Sequence, residues 1–238
     1  KLHLAGNDRA PCLADVDGSL YHAFMKQKVA ALAVLLLVPV VFLSAQSSPG
    51  VGEVQFVDGE VRVNGQLAFL GQQVSLGDWV ETGRDSAVDI VFDGSNVFRL
   101  GSSTVAVLNL GESRQQVDLR FGTFSAVFDR VRTLSGRGTF DVQAPTTVAG
   151  VRGTSFFMRV IDRTTTYVCT CNGTLEITPR SGNPFVESAA EHSAYFLRSN
   201  DSDEVSVESA AELYHDNDAL NALAATIGVE IPWGELPE

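Results

Sequence analysis

Beyond residue 45 the chain has no lysine: Lys1, Lys26 and Lys28 are all it holds. Residues 46–238 carry 26 Asp and Glu against 13 Arg, a net charge of −13. A surface this poor in cations repels phosphate backbones and anionic membranes, so nucleic acid is excluded as an expected partner. Histidine and cysteine are nearly as scarce there, limited to His192, His215, Cys169 and Cys171. Two histidines and no G-x-S-x-G leave no serine triad to assemble. A P-loop is missing, as is any G-x-G-x-x-G after a strand pattern. Carboxylate pairs such as Glu187 and Glu191 read as solvated faces of an acidic protein. The expectation is a protein that is not an enzyme.

Long apolar runs are also lacking, with one exception. Val29 to Leu43 is a 15-residue stretch broken only by Pro39, shorter than the roughly 20 residues a spanning helix needs. Met25-Lys26-Gln27-Lys28 supplies a basic start, and Leu43-Ser44-Ala45 a small-residue end. That order of charge, apolar run and small residues is a secretory signal with cleavage after Ala45. No cysteine stands directly after the run, which argues against a lipid anchor there. Translation is expected to start at Met25, with residues 1–24 an upstream artefact of the gene model. The expected layout is therefore a signal peptide over 25–45, a β domain over 46–199 and a C-terminal helix and tail over 200–238. After cleavage the chain is expected to be periplasmic or extracellular, with no membrane insertion.

What the chain does hold is alternation. Gly52 to Val57, Glu60 to Val63, Ala87 to Phe92, Asn96 to Leu100 and Val105 to Leu110 place apolar residues at every second position, the period of half-buried strands. Similar runs recur at 117–121, 123–128, 139–142, 155–161, 165–171, 174–178 and 192–197. Asp58-Gly59, Asn64-Gly65 and Asp93-Gly94 separate them, and glycine accepts the positive φ of tight hairpin turns. Asn172-Gly173-Thr174 fits a glycosylation sequon but reads better as a type I′ turn. Turn signals every 8–12 residues or so predict an all-β fold. Its form would be an antiparallel sandwich, roll or short solenoid. Past Asn200, Ser206 to Ile227 is rich in Ala and Leu at helical intervals, interrupted at Asp216-Asn217-Asp218 and stopped by Gly228. One broken helix or two short ones are expected there, capping an open end of the sheet.

Two separated stretches carry a resemblance. The first is Leu76-Gly77-Asp78-Trp79-Val80-Glu81-Thr82-Gly83-Arg84-Asp85-Ser86, with Asp93-Gly94-Ser95 and Arg99-Leu100 after it. The second runs from Phe140-Asp141-Val142 through Ala144-Pro145 to Val151-Arg152-Gly153-Thr154-Ser155-Phe156. Together they resemble the FecR domain over about residues 51–178, with Ala144 standing where the family has Thr. The family is known from membrane regulators of iron-uptake sigma factors, in which a cytoplasmic segment precedes the span. Only three residues separate Met25 from the apolar run, so that role is not carried over. The family motif Arg152, Gly153, Thr154 implies an arginine fork that tethers a carboxylate or turn carbonyls, or that binds a ligand.

Chemistry concentrates at Cys169-Thr170-Cys171. Residues i and i+2 of a strand share a face, so the thiols are neighbours. Their Cα separation of about 6.5 Å would strain a disulfide. Free buried thiols on the core face are the plain alternative. His192 and then His215 could complete a Cys2His2 set for zinc or another soft metal. The function expected is an exported FecR-like binding module of the bacterial envelope, recognising a protein or a glycan. A membrane-tethered periplasmic sensor and a metal- or thiol-based module on Cys169, Cys171 and His192 are the alternatives.

Overall fold

A computed structural model describes residues 52–110, 115–129 and 140–237. The expected signal peptide and the upstream segment lie outside the described residues. Among the described residues the fold is all-β with one short helix, as expected. In chain order the strands are β1 (Gly52–Asp58), β2 (Val61–Val63), β3 (Gln66–Leu67), β4 (Gln73–Val74), β5 (Asp78–Thr82), β6 (Ala87–Phe92), β7 (Asn96–Leu100) and β8 (Val105–Leu110). They continue as β9 (Gln115–Phe128), β10 (Phe140–Gln143), β11 (Thr147–Asp162), β12 (Thr165–Pro179), β13 (Phe185–Ala189), β14 (Ser193–Ser199) and β15 (Val205–Ala210). Helix α1 spans Asn217–Ala225.

All fifteen strands of the described residues join one sheet, ordered β15-β14-β12-β11-β10-β9-β7-β6-β1-β4, with β2, β3, β5, β8 and β13 branching from it. Pairing is antiparallel except between β9 and β10, which run parallel. The expected Asn64-Gly65 hairpin is present: Val63 pairs with Gln66, and both turn residues have positive φ (52° and 80°). The inner face of the folded sheet closes on one apolar core. Six phenylalanines form its centre, with Phe140 5.1 Å from Phe92, 5.0 Å from Phe128 and 6.3 Å from Phe124 between ring centroids.

Several sequence expectations need correction. The runs at 117–121 and 123–128 are one strand, because β9 continues through Gly122 at φ 90°. A Cβ there would lie 2.5 Å from the Thr104 Cα, so only glycine lets the strand pass so close. Asn172-Gly173 is likewise no turn but part of continuous β12. Its positive φ (120° at Gly173) is spent on a shift of partners instead: β12 pairs with β14 through residue 170 and with β13 from Gly173 onward. β11 shifts register against β12 at the same level, between Val151 and Thr154. The backbone of the family motif Arg152, Gly153, Thr154 thus occupies that offset, while its side chains lie outside the described residues.

The expected helix over 206–227 is also shorter. Val205–Ala210 is an edge strand, recruited by the ladder to β14. Asp216 does not interrupt a helix but starts one: its side chain accepts the Ala219 N–H at 2.8 Å as N-cap. Nor does the helix cap an end of the sheet. Leu223 and Ala224 pack against Val97 and Val127, on the sheet's outer face. Among the described residues no helix is long and apolar enough to cross a membrane.

Candidate metal centre

β12 is buried on both faces. Val168 and Leu175 point into the phenylalanine core. Tyr167, Cys169 and Cys171 point the other way, into a second cluster with Phe157, Ala194 and Leu220 of α1. The strand period therefore sets both thiols side by side on the outer face, under the C-terminal segment, and not on the core face. Both are free thiols, fully buried. Their sulfurs are 3.7 Å apart, far beyond the roughly 2.05 Å of a disulfide.

Both histidines of the described residues arrive from outside the strand. His192 sits just before β14 in left-handed backbone (φ 34°), fixed by its N–H to the Cys171 carbonyl at 2.9 Å. Its Nδ1 is 3.5 Å from the Cys169 sulfur. His215 precedes the N-cap of α1 and stacks on Phe157, with centroids 4.3 Å apart at 6°. Its Nε2 is 3.2 Å from the Cys171 sulfur. The four ligand atoms of Cys169, Cys171, His192 and His215 all lie within 4.8 Å of one another. All four residues singled out from sequence are thus brought together, although 44 positions separate Cys171 from His215.

The remaining ring nitrogens are engaged on the outside. His192 Nε2 faces Asn217 Oδ1 at 2.6 Å and Glu212 Oε1 at 3.3 Å, and His215 Nδ1 faces the Leu213 carbonyl at 2.8 Å. In that tautomer each imidazole turns a lone pair toward the sulfurs. Sequence reasoning missed Glu212 and Asn217, whose only local signal is their closeness to His215.

The two thiols are electrostatically unequal. A hydrogen bond from Cys171 pushes Cys169 down to about 5, against burial and with help from His215 and His192. Burial pushes Cys171 up, and the neighbouring Cys169 adds to it. Burial alone would lower His192, but Asn217 and Cys169 outweigh it and raise its pKa.

The surrounding contacts tie the C-terminal segment to β12. Tyr167 donates its hydroxyl to the Ala211 carbonyl at 3.0 Å and accepts the Leu213 N–H at 2.9 Å. The Asn172 amide donates to the carbonyls of Ala190, Pro232 and Glu235 at 2.8–3.0 Å. Trp233 stacks on His192 and donates to Asn221 at 2.9 Å.

A second feature lies at the other end of the sheet. Leu67, Phe69, Leu70 and Leu76, around β3 and β4, are each 63–68 % exposed. Glu53 and Asp78 border them, bonding to Gln73 and Ser75.

Residues 78–176 match the model of the FecR protein family. Among solved structures, two crystal structures of a candidate anti-sigma factor from Parabacteroides distasonis ATCC 8503 are similar, each 13 % identical with a TM-score of 0.45. The match covers 55 % of this chain and 59 % of that one, so the chain spans under two thirds of those relatives' length. No curated protein matches. The family segment includes Cys169 and Cys171 but stops short of His192 and His215.

Proposed function

We propose that this chain, whose residues 78–176 match the FecR protein family, is an exported, non-enzymatic module of the bacterial envelope that works by binding another envelope protein. The observation that carries this reading is the apolar segment Leu67–Leu76. Four large apolar side chains on ten residues, each about two-thirds exposed, form a surface that a folded protein gains by covering. Three of the four are leucines, which suit a protein interface core better than the polar, aromatic contacts a glycan needs. The net charge of −13 over residues 46–238 disfavours an anionic bilayer as the occupant. Glu53 and Asp78 at the border favour a partner with a basic or neutral rim.

The test compares the wild-type chain with a Phe69→Asp, Leu70→Asp variant by crosslinking in envelope fractions, followed by binding of the identified partner in purified form. Binding that falls at least tenfold in the folded variant supports the reading. Equal binding by the two forms overturns it. Export is read separately by sequencing the N-terminus of the processed chain, which is expected to begin at Gln46. A chain retained with its apolar run intact would favour the tethered sensor.

A further inference from the structure

We propose that Cys169, Cys171, His192 and His215 form a tetrahedral site for one soft divalent ion, zinc foremost, that clips the C-terminal segment onto the outer face of the FecR sheet. The site does not depend on the identity of any binding partner.

Its dimensions carry the inference. Zinc–sulfur bonds of about 2.3 Å and zinc–nitrogen bonds of about 2.0–2.1 Å place tetrahedral ligand atoms about 3.8 Å apart between sulfurs and about 3.6 Å apart between sulfur and nitrogen. The observed separations are 3.7 Å between the sulfurs, 3.5 Å from Cys169 to His192 and 3.2 Å from Cys171 to His215. The remaining separations are within 4.8 Å, so small side-chain shifts complete the tetrahedron.

The outer contacts are a second, independent observation. Metal-bound histidines nearly always give their other N–H to a carboxylate or carbonyl. Here Asn217 and Glu212 hold one imidazole, and the Leu213 carbonyl holds the other. Nothing about thiol packing requires both imidazoles to be oriented in this way. The donor set, two sulfurs and two imidazole nitrogens, selects zinc over calcium or magnesium.

Two rival readings meet specific obstacles. Cys169, His192 and Asn217 line up as a thiol–imidazole–amide relay, the arrangement of a cysteine nucleophile. Cys169 is 0 % exposed, however, so no substrate carbonyl reaches its sulfur. A buried disulfide would have to close 3.7 Å between adjacent same-face residues of a strand already paired on both sides.

The clip has a structural purpose. Two ligands come from the family segment and two from beyond it, His192 before β14 and His215 at the start of α1. The ion therefore crosslinks three stretches far apart in sequence. A structural site of this kind contributes its binding free energy directly to the ordering of the segments it joins.

The full chain is purified after expression with added zinc and subjected to elemental analysis. About one zinc per chain is expected, together with a tetrahedral thiolate spectrum after replacement by cobalt. Cys171→Ser and His215→Ala should each bind zinc at least tenfold more weakly. His215 lies outside the family segment, so His215→Ala keeps the test informative should Cys171→Ser fail to fold. Chelation should expose a protease cut between residues 211 and 237 while the β domain stays resistant. Wild-type protein that takes up less than a tenth of an equivalent of zinc overturns the proposal. So does metal retained at wild-type affinity by His215→Ala. Rapid alkylation of Cys169 in the zinc-loaded protein would also overturn it, in favour of the nucleophile.

Discussion

The two faces of the β11–β12 ribbon are held by different physics. On the inner face Phe156, Met158, Val168 and Leu175 join an apolar core whose phenylalanine rings touch with little polar involvement. On the outer face Tyr167, Cys169, Cys171 and, at the edge, Asn172 meet the C-terminal segment through named polar atoms. The same division extends across the sheet. Opposite Ile90 and Phe98, the outer side of β6 and β7 carries Asp89 and Arg99, joined by two hydrogen bonds of 2.6 and 2.7 Å, with Arg99 over the Phe56 ring. Apolar burial is tolerant of geometry, whereas these ties are lost entirely when one partner is removed. The inner face should therefore govern global stability, and most outer contacts should govern attachment of the last 27 or so residues.

Substitutions can break this comparison in order of effect. Arg99→Ala strands the Asp89 carboxylate, only 1 % exposed, and is expected to cost about 3–5 kcal/mol. Phe140→Ala opens a cavity among rings within 6.4 Å and should also cost about 3–5 kcal/mol. Urea unfolding measures both, and a loss under 1 kcal/mol for Phe140→Ala would show that the inner core is not the main support. Tyr167→Phe removes the link to Ala211 and Leu213 and should cost about 1–3 kcal/mol. That loss should appear as faster amide exchange in the C-terminal segment before the β domain, and uniform acceleration would merge the two faces into one cooperative unit. Asp216→Ala removes the N-cap of α1, worth about 1 kcal/mol, seen as a small drop in helical signal with the β signal intact. Asn217→Ala touches no core and should leave unfolding of the metal-free protein nearly unchanged while weakening zinc binding about 10–100-fold. Zinc affinity equal to wild type would mean that the amide does not orient His192.

Much of the fold was legible because strand periodicity and hairpin glycines are local signals. β1, β2, β6, β7 and β8 fall where alternation places them, and Asn64-Gly65 turns as its residues demand. Gly173 was misread because positive φ is local information, whereas its use depends on which strands lie alongside. Val205–Ala210 was misread because a short, mostly exposed edge strand has no face of its own to pattern, and its ladder to β14 is what makes it extended. The Arg99–Asp89 fork, by contrast, left a trace: two charges at matching positions in consecutive apolar strands flanking a turn.

The candidate centre divides in the same way. Sequence alone placed Cys169 and Cys171 on one face of one strand, since a period of two leaves no other arrangement. It also limited the nitrogen donors to two, since no other histidine follows residue 45. Only the tertiary structure decided that this face lies under the C-terminal segment and that both histidines meet the sulfurs there. The same is true of Asn217, Glu212 and the Leu213 carbonyl, which orient the rings from outside. Periodicity operates within one element, whereas a four-ligand site depends on where separate elements come to rest, and packing alone sets that.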